Sequence, residues 1–324
     1  MRRCTLRTAA MVCLFGSAAA CGGTTPAATT SSTPPSDSTE SLAIGGREAV
    51  SVHIAGSPDW LAADEDNVYV KRDNGGVDVL DPTTAAVVRS FDLGNDLCQG
   101  LGVADGTLWS CSGPELVRID LGSGAVAPTA AVGKTFEQGE LNVGFGRLWV
   151  LLGDGSSLLG IDVDTDQPGE PIALPVRGTD VALGPDRVWV LSAVDNAAVE
   201  VDPDAGVVRR IDGLAGARAA VAVPDALWVG GIAETYRIEL STGAVTATVD
   251  GGIGRVGAIA ADDEGVWVRE GGVTLTHLDA VSGAVLEEMS ADIGSGGDLV
   301  VAFDALWLTA FDHETLLRIP LDKS

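Results

Sequence analysis

Histidine is almost absent from this chain: His53, His277 and His313 are the only three in 324 residues. They share no ligand spacing, so neither a histidine-based metal centre nor a Ser-His-Asp relay has residues to be built from. Each reads as an ordinary strand or loop residue. Lysine is as sparse, with Lys71, Lys134 and Lys323 alone. The 20 Lys and Arg face 46 Asp and Glu, for a formal net charge of −26. Such a field repels polyanions and no concentrated basic patch offsets it, which excludes nucleic acid as a partner. No apolar run approaches the ~18 residues that a membrane-spanning helix needs. No nucleophile elbow, Walker loop or Gly-rich dinucleotide signature stands at a strand-to-helix junction.

What the N-terminus does contain is an export pattern. Arg2, Arg3 and Arg7 form a positive region, Ala9 to Phe15 a short apolar run, and Gly16-Ser-Ala-Ala-Ala20 a small-residue cleavage site. Residues 1–20 therefore read as a secretory signal. Ala18-Ala-Ala-Cys21 resembles a bacterial lipobox, which makes Cys21 the expected lipidation site of a lipoprotein; Ala18 stands where Leu is more common. Residues 21–43 are mostly Gly, Thr, Ser, Pro and Ala and read as a flexible tether. Some 20 residues of this kind reach about 25 Å, enough to hold a domain off a membrane surface. Removing the signal takes three arginines and no acid, leaving 17 Lys and Arg against 46 acids, a formal charge of −29. Cys4 and Cys13 leave with the signal. In an oxidising compartment the remaining pair, Cys98 and Cys111, is expected to form a disulfide. An Asp105-Gly106 hairpin turn sets position 104 opposite 107 and 100 opposite 111, with Cys98 diagonal to Cys111.

The rest of the chain keeps a beat. Tyr69, Trp109, Trp149, Trp189, Trp228, Trp267 and Trp307 follow one another at steps of 40, 40, 40, 39, 39 and 40 residues. Each sits in one kind of word, such as Arg147-Leu-Trp-Val or Gly265-Val-Trp-Val. An Ala/Gly/Val-rich strand and a polar turn precede the aromatic strand. A third strand then ends in an acid (Asp81, Asp120, Asp162, Asp202, Glu239, Asp279), and a Gly turn opens a fourth. Seven such units predict an all-β chain: a seven-bladed β-propeller of four-stranded blades over residues 44–324. The aromatics are expected to wedge between blades and the tandem acids to accept hydrogen bonds from turn amides. The last unit stops after its third strand, and Ala49-Val-Ser-Val-His-Ile-Ala55 reads like a fourth. This segment is expected to close the ring from the N-terminal side.

The sequence pattern Leu-Trp-Val, then Ile-Asp-x-x-x-Gly-x-Val, resembles the YVTN/YncE-like and quinoprotein-like propellers of exported bacterial proteins over about residues 48–320. The resemblance implies a scaffold rather than a chemistry. Some related propellers are metal-dependent lyases with a catalytic His, and others bind quinone cofactors or nucleic acid. The lyase constellation has no match here, and neither does the extra blade of the quinone enzymes.

Functional candidates are therefore residues that break the beat. Aligning the units puts Trp60, Gly100, Glu140, Asp180, Ala220, Ala258 and Asp298 in one ring where the first strands begin, at a mouth of the axial channel. Glu140, Asp180 and Asp298 converging there, with Trp60 as a stacking surface, suit a cation or a cationic ligand. Loops on that face bring Lys71, Arg72, Asp73, Arg218 and Arg269. Asp162, Asp164 and Asp166 have the opening spacing of a calcium loop, but Gln167 and Ala173 replace its Gly and final Glu. A divalent cation is the one cofactor these residues suggest. The resulting expectation is a monomeric, lipid-anchored extracytoplasmic module without catalytic residues. It would bind an envelope protein, a peptide or a small molecule at the mouth. The alternative is a metal-assisted lyase or hydrolase using the mouth carboxylates.

Overall fold

The computed structural model of the protein describes residues 39–94, 100–112, 115–129, 132, 135, 141–291 and 293–321. Cys21, Cys98 and Glu140 lie outside the described residues, and so do the lipidation and disulfide expectations. Seven antiparallel sheets form, and their innermost strands touch in sequence around a closed ring. Blade 1 takes Pro58–Ala63, Val68–Arg72, Gly76–Leu80 and Val87–Asp92 from axis to rim. Blades 2 to 6 begin with Leu101–Ala104, Asn142–Gly144, Asp180–Leu183, Ala219–Val223 and Ile259–Ala261. Blade 7 begins with Leu299–Ala302, followed by Ala305–Ala310 and Thr315–Pro320. The chain is a seven-bladed β-propeller. Among the described residues the only helical piece is a 3-10 turn at Phe311–His313, and no helix is long and apolar enough to cross a membrane.

The ring closes as the sequence predicts. Arg47–His53 adds to the third strand of blade 7, with Val52 opposite Leu316. The fold also begins earlier than residue 44. Thr39–Ile44 pairs with Arg47–His53 as a fifth strand, so the last part of the presumed tether is sheet. Gly45 and Gly46 make the turn, at φ 57° and 80°, a type I′ hairpin signal that the low apolar content of the segment had masked. The hairpin leans on blade 6, where Arg47 grips Glu287 in a two-pronged ion pair.

There is no single core. Seven apolar clusters sit in the seven seams between blades, and each holds the repeat aromatic of one blade against the next. Tyr69 packs on Leu108 and Ile119, Trp149 on Val181 and Val188, Trp189 on Leu227, and Trp307 on Val68 and Leu80. Trp149, Trp189, Trp228, Trp267 and Trp307 are the largest fully buried side chains among the described residues, so the beat is the record of inter-blade packing. Several ring N–H groups end on the turns between the first and second strands, for example Trp149 Nε1 on the Gly144 carbonyl at 3.1 Å and Trp267 Nε1 on Asp262 at 2.6 Å.

The tandem acids take the structural role expected of them. Asp81 accepts from the Thr83 and Thr84 amides, and Asp279 from the Ser282 amide at 2.7 Å and its hydroxyl at 2.6 Å. Hydrogen bonds from these turns hold the carboxyls of Asp81, Asp120, Asp162, Asp202 and Asp279 below the usual range. The carbonyl just after the acid has a second use. Arginines of the preceding blade donate to it: Arg89 to Leu121, Arg147 to Pro203, Arg209 to Leu240, Arg237 to Ala280 and Arg318 to Pro82. These guanidinium groups stitch five seams.

Candidate functional site

A cavity of about 560 Å³ opens at the end of the axis where the first strands begin. Blades 4, 5, 6, 7 and 1 line it, through the starts of their inner strands and the loops after their aromatic strands. Trp60, Asp180, Arg218 and Asp298 from the sequence-predicted set all lie on its wall. Lys71 and Arg269 do not. Both are buried, and Arg269 is 0% exposed.

Arg269 serves the fold. Its guanidinium donates to the carbonyls of Gly272 at 2.9 Å, Asp298 at 2.8 Å and Ser295 at 3.1 Å, which joins blade 6 to blade 7. Burial lowers its pKa to about 10, with Asp298 and Asp59 opposing the shift. Asp298 is a clasp across the last seam. One carboxylate oxygen accepts from the Leu61 amide of blade 1 at 2.9 Å and the other from the Leu299 amide at 2.7 Å. Thr309 completes the clasp by donating to the Asp59 carbonyl at 2.6 Å while accepting from the Asp298 amide. Burial raises the Asp298 carboxyl despite these bonds. Its oxygens are committed to joining the ring's two ends.

Asp59 is the residue that alignment of the repeats missed. The pairing of Pro58–Ala63 with Val68–Arg72 slips between Pro58 and Trp60, so Asp59 occupies a β-bulge. The bulge sets both Asp59 and Trp60 on the cavity wall. Burial, then repulsion from Asp73 and Asp298, raises the Asp59 carboxyl to about 7. Burial also raises Asp73, with Lys71 pulling the other way. Phe311, Val194, Val256 and Arg255 complete the mouth, contributed by loops whose sequence departs from the repeat. An unequal loop in an otherwise regular array is the one signal that could have pointed to them.

The calcium-loop residues do not come together as ligands. Asp162 caps its own turn through the Thr165 amide and hydroxyl, at 2.8 and 2.7 Å. Asp166 pairs with Arg118 of blade 2 at 2.8 Å. Among the described residues no group of three or more His, Cys, Asp and Glu side chains is placed to hold a metal ion. Asp162 instead borders a shallower recess of about 480 Å³ between blades 3 and 4, walled by Arg147, Trp149 and prolines. The histidines stand apart. His277 lies flat on Trp267, rings 4.2 Å apart, and meets Asp262 at 3.3 Å, while His53 is exposed at the closing strand.

No family model and no curated protein matches this chain. Among solved structures it is similar to the computationally designed Ika8 protein, with a TM-score of 0.62 and 14% identity. That match covers 82% of this chain and 98% of Ika8. In all, 1356 solved chains match, so the likeness shows the propeller fold and leaves function to be argued from the mouth.

Proposed function

We propose that this protein is an extracytoplasmic binding module of the YVTN/YncE-like type, lipid-anchored through Cys21, whose ligand sits in the axial mouth. Residues 1–20 read as an export signal and the Ser/Thr-rich stretch after Cys21 as the spacer. The observation that carries the binding role is the mouth cavity. It is about 560 Å³, walled by Trp60, Phe311, Val194 and Val256, and carries acids and arginines together. Recessed apolar walls with a few charged groups of both signs are the usual make-up of a small-molecule or peptide site. Elsewhere the tandem acids serve turns, and Arg89, Arg147, Arg209, Arg237 and Arg318 serve seams.

A plugged mouth tests this reading. Val194 is 63% exposed, so Val194→Trp narrows the cavity without disturbing packing. Native mass spectrometry after incubation with envelope and metabolite extract should show a species held by the wild type and released by Val194→Trp. Equal retention by both places binding elsewhere. In the same strains Cys21→Ser should move the protein from the membrane to the soluble exported fraction; retention at the membrane removes the anchor from the proposal.

A further inference from the structure

The mouth also says which ligand it suits, on the reading that it is the binding site. We infer that it holds a small zwitterion, its carboxylate on Arg218 and Arg255 and its ammonium toward Asp59 and Asp73, with an apolar body between.

The first support is the use made of arginine. Acids outnumber basic residues by 46 to 20 here, so a carboxylate is within easy reach of almost any guanidinium. Arginines accordingly end in ion pairs or on carbonyls: Arg47 on Glu287, Arg72 on Asp78, Arg118 on Asp166, Arg187 on Glu200, Arg210 on Asp212, Arg318 on Pro82. Arg177, Arg218 and Arg255 are the exceptions, with no side-chain acceptor among the described residues; Arg177 stands exposed away from the cavity, whereas Arg218 and Arg255 both line it. Arg218 goes further: its Nε is buried and makes no hydrogen bond. A buried donor left unmade is costly, and a carboxylate is the acceptor whose planar geometry fits a guanidinium fork. Asp180 of blade 4 also lines the cavity, but it is buried and has a partner of its own.

The second support lies on another flank of the cavity. Arg218 and Arg255 come from blades 5 and 6, whereas Asp59 and Asp73 come from blade 1. The cations behind that flank are Lys71 and Arg269, and the Arg269 N–H groups are occupied by three carbonyls. A pure anion entering this space meets the carboxylates, and a pure cation meets the arginines. A molecule with one charge of each sign meets complementary groups at both ends. Trp60, Phe311, Val194 and Val256 give an apolar wall for the body that separates the charges, and Trp60 offers a face to the ammonium.

Three probes of one shape separate the charges: L-phenylalanine, 3-phenylpropionate without the amine, and phenethylamine without the carboxylate. Each is titrated calorimetrically into the full-length protein, into Arg218→Gln, Arg255→Gln and Asp73→Asn, and into Val194→Trp, with circular dichroism confirming the fold. L-phenylalanine should bind at least ~10-fold tighter than either half-molecule. Arg218→Gln and Arg255→Gln should weaken it by ~10-fold or more while leaving phenethylamine unchanged. Asp73→Asn should weaken L-phenylalanine and spare 3-phenylpropionate. Phenethylamine binding as tightly as L-phenylalanine, blind to Arg218→Gln but lost in Val194→Trp, overturns the zwitterion and keeps the mouth as a site. Binding of L-phenylalanine that ignores every mouth substitution overturns both. No binding by any probe overturns the zwitterion, and the extract experiment with Val194→Trp then decides the mouth separately.

Discussion

Asp59→Asn should make the protein more stable at neutral pH and leave it unchanged in acid. The carboxyl of Asp59 is raised from its ordinary 3.8 to about 7, chiefly by burial and then by Asp73 and Asp298. Between those two values the native state keeps a proton that the unfolded chain has released. Native protein then binds more protons than unfolded, so stability falls as pH rises through this window. Each pH unit corresponds to about 1.4 kcal/mol, which sets a ceiling of about 4 kcal/mol above pH 7. Asn has the shape and no charge to desolvate. Part of the gain passes to Asp298, which loses a like-charged neighbour, so the observed figure should fall below that ceiling. Urea denaturation of wild type and variant, followed by tryptophan fluorescence from about pH 4.5 to about pH 8.5, measures the difference directly. The turn acids, with lowered pKa values, give the opposite slope, but they are common to both proteins and cancel. The difference should grow from near zero in acid to a plateau above neutrality. In melting temperature the plateau amounts to roughly 10 °C for a domain of this size. A difference independent of pH, or one that shrinks as pH rises, refutes the claim that the fold keeps the Asp59 proton up to about pH 7.

Two further outcomes follow from the seams. Arg269→Met leaves three carbonyls, one buried and two part-buried, without their donor and removes the charge facing Asp59 and Asp298, so it should cost on the order of 3–5 kcal/mol by urea denaturation; an unchanged midpoint would contradict the stitching role. Deleting residues 39–53 removes the closing strand and bares the edge that carries Leu316 and Leu317, so the truncated chain should melt lower and self-associate on size exclusion; a monomer of unchanged stability would show that the ring closes without it.

The fold was legible because packing repeats and chemistry does not. An aromatic every 40 residues records a wedge that all seven seams need. The acid ending the third strand records a turn that six blades share. Even the register of the blade 2 hairpin followed from Asp105-Gly106, with Ala104 opposite Thr107 as expected. The mouth was harder because it is assembled from departures. Asp298 stands in the expected ring position, yet its carboxylate turns aside to clasp Leu61 and Leu299, because the inner strands that meet at this seam come from opposite ends of the chain. Lys71 and Arg269 were expected in loops on this face, but both lie near the ends of aromatic strands and are buried, and periodicity carries no information about where a long side chain ends. The arginine stitches were invisible for a related reason. Each joins a strand of one blade to a carbonyl of the next, so no single repeat contains both partners.

Asp59 shows most plainly why the site and the beat had to be read against each other. Strict 40-residue alignment gives blade 1 one ring residue, Trp60. The bulge inserts an extra residue, so two side chains occupy the place of one, and the strand that carries them faces the seam where the ring closes. That seam is where a closed array is least constrained by its own repeat, because its two sides come from opposite ends of the chain. A bulge and a carboxylate clasp are both there, and the buried guanidinium of Arg269 backs them from blade 6. Together they hold acidic groups in a low-dielectric wall, while Arg218 and Arg255, which have no side-chain acceptor among the described residues, stand on blades 5 and 6. The asymmetry of charge across the mouth thus follows from where the ring is closed. A propeller with seven equivalent seams would have a uniform mouth and nothing with which to orient a ligand.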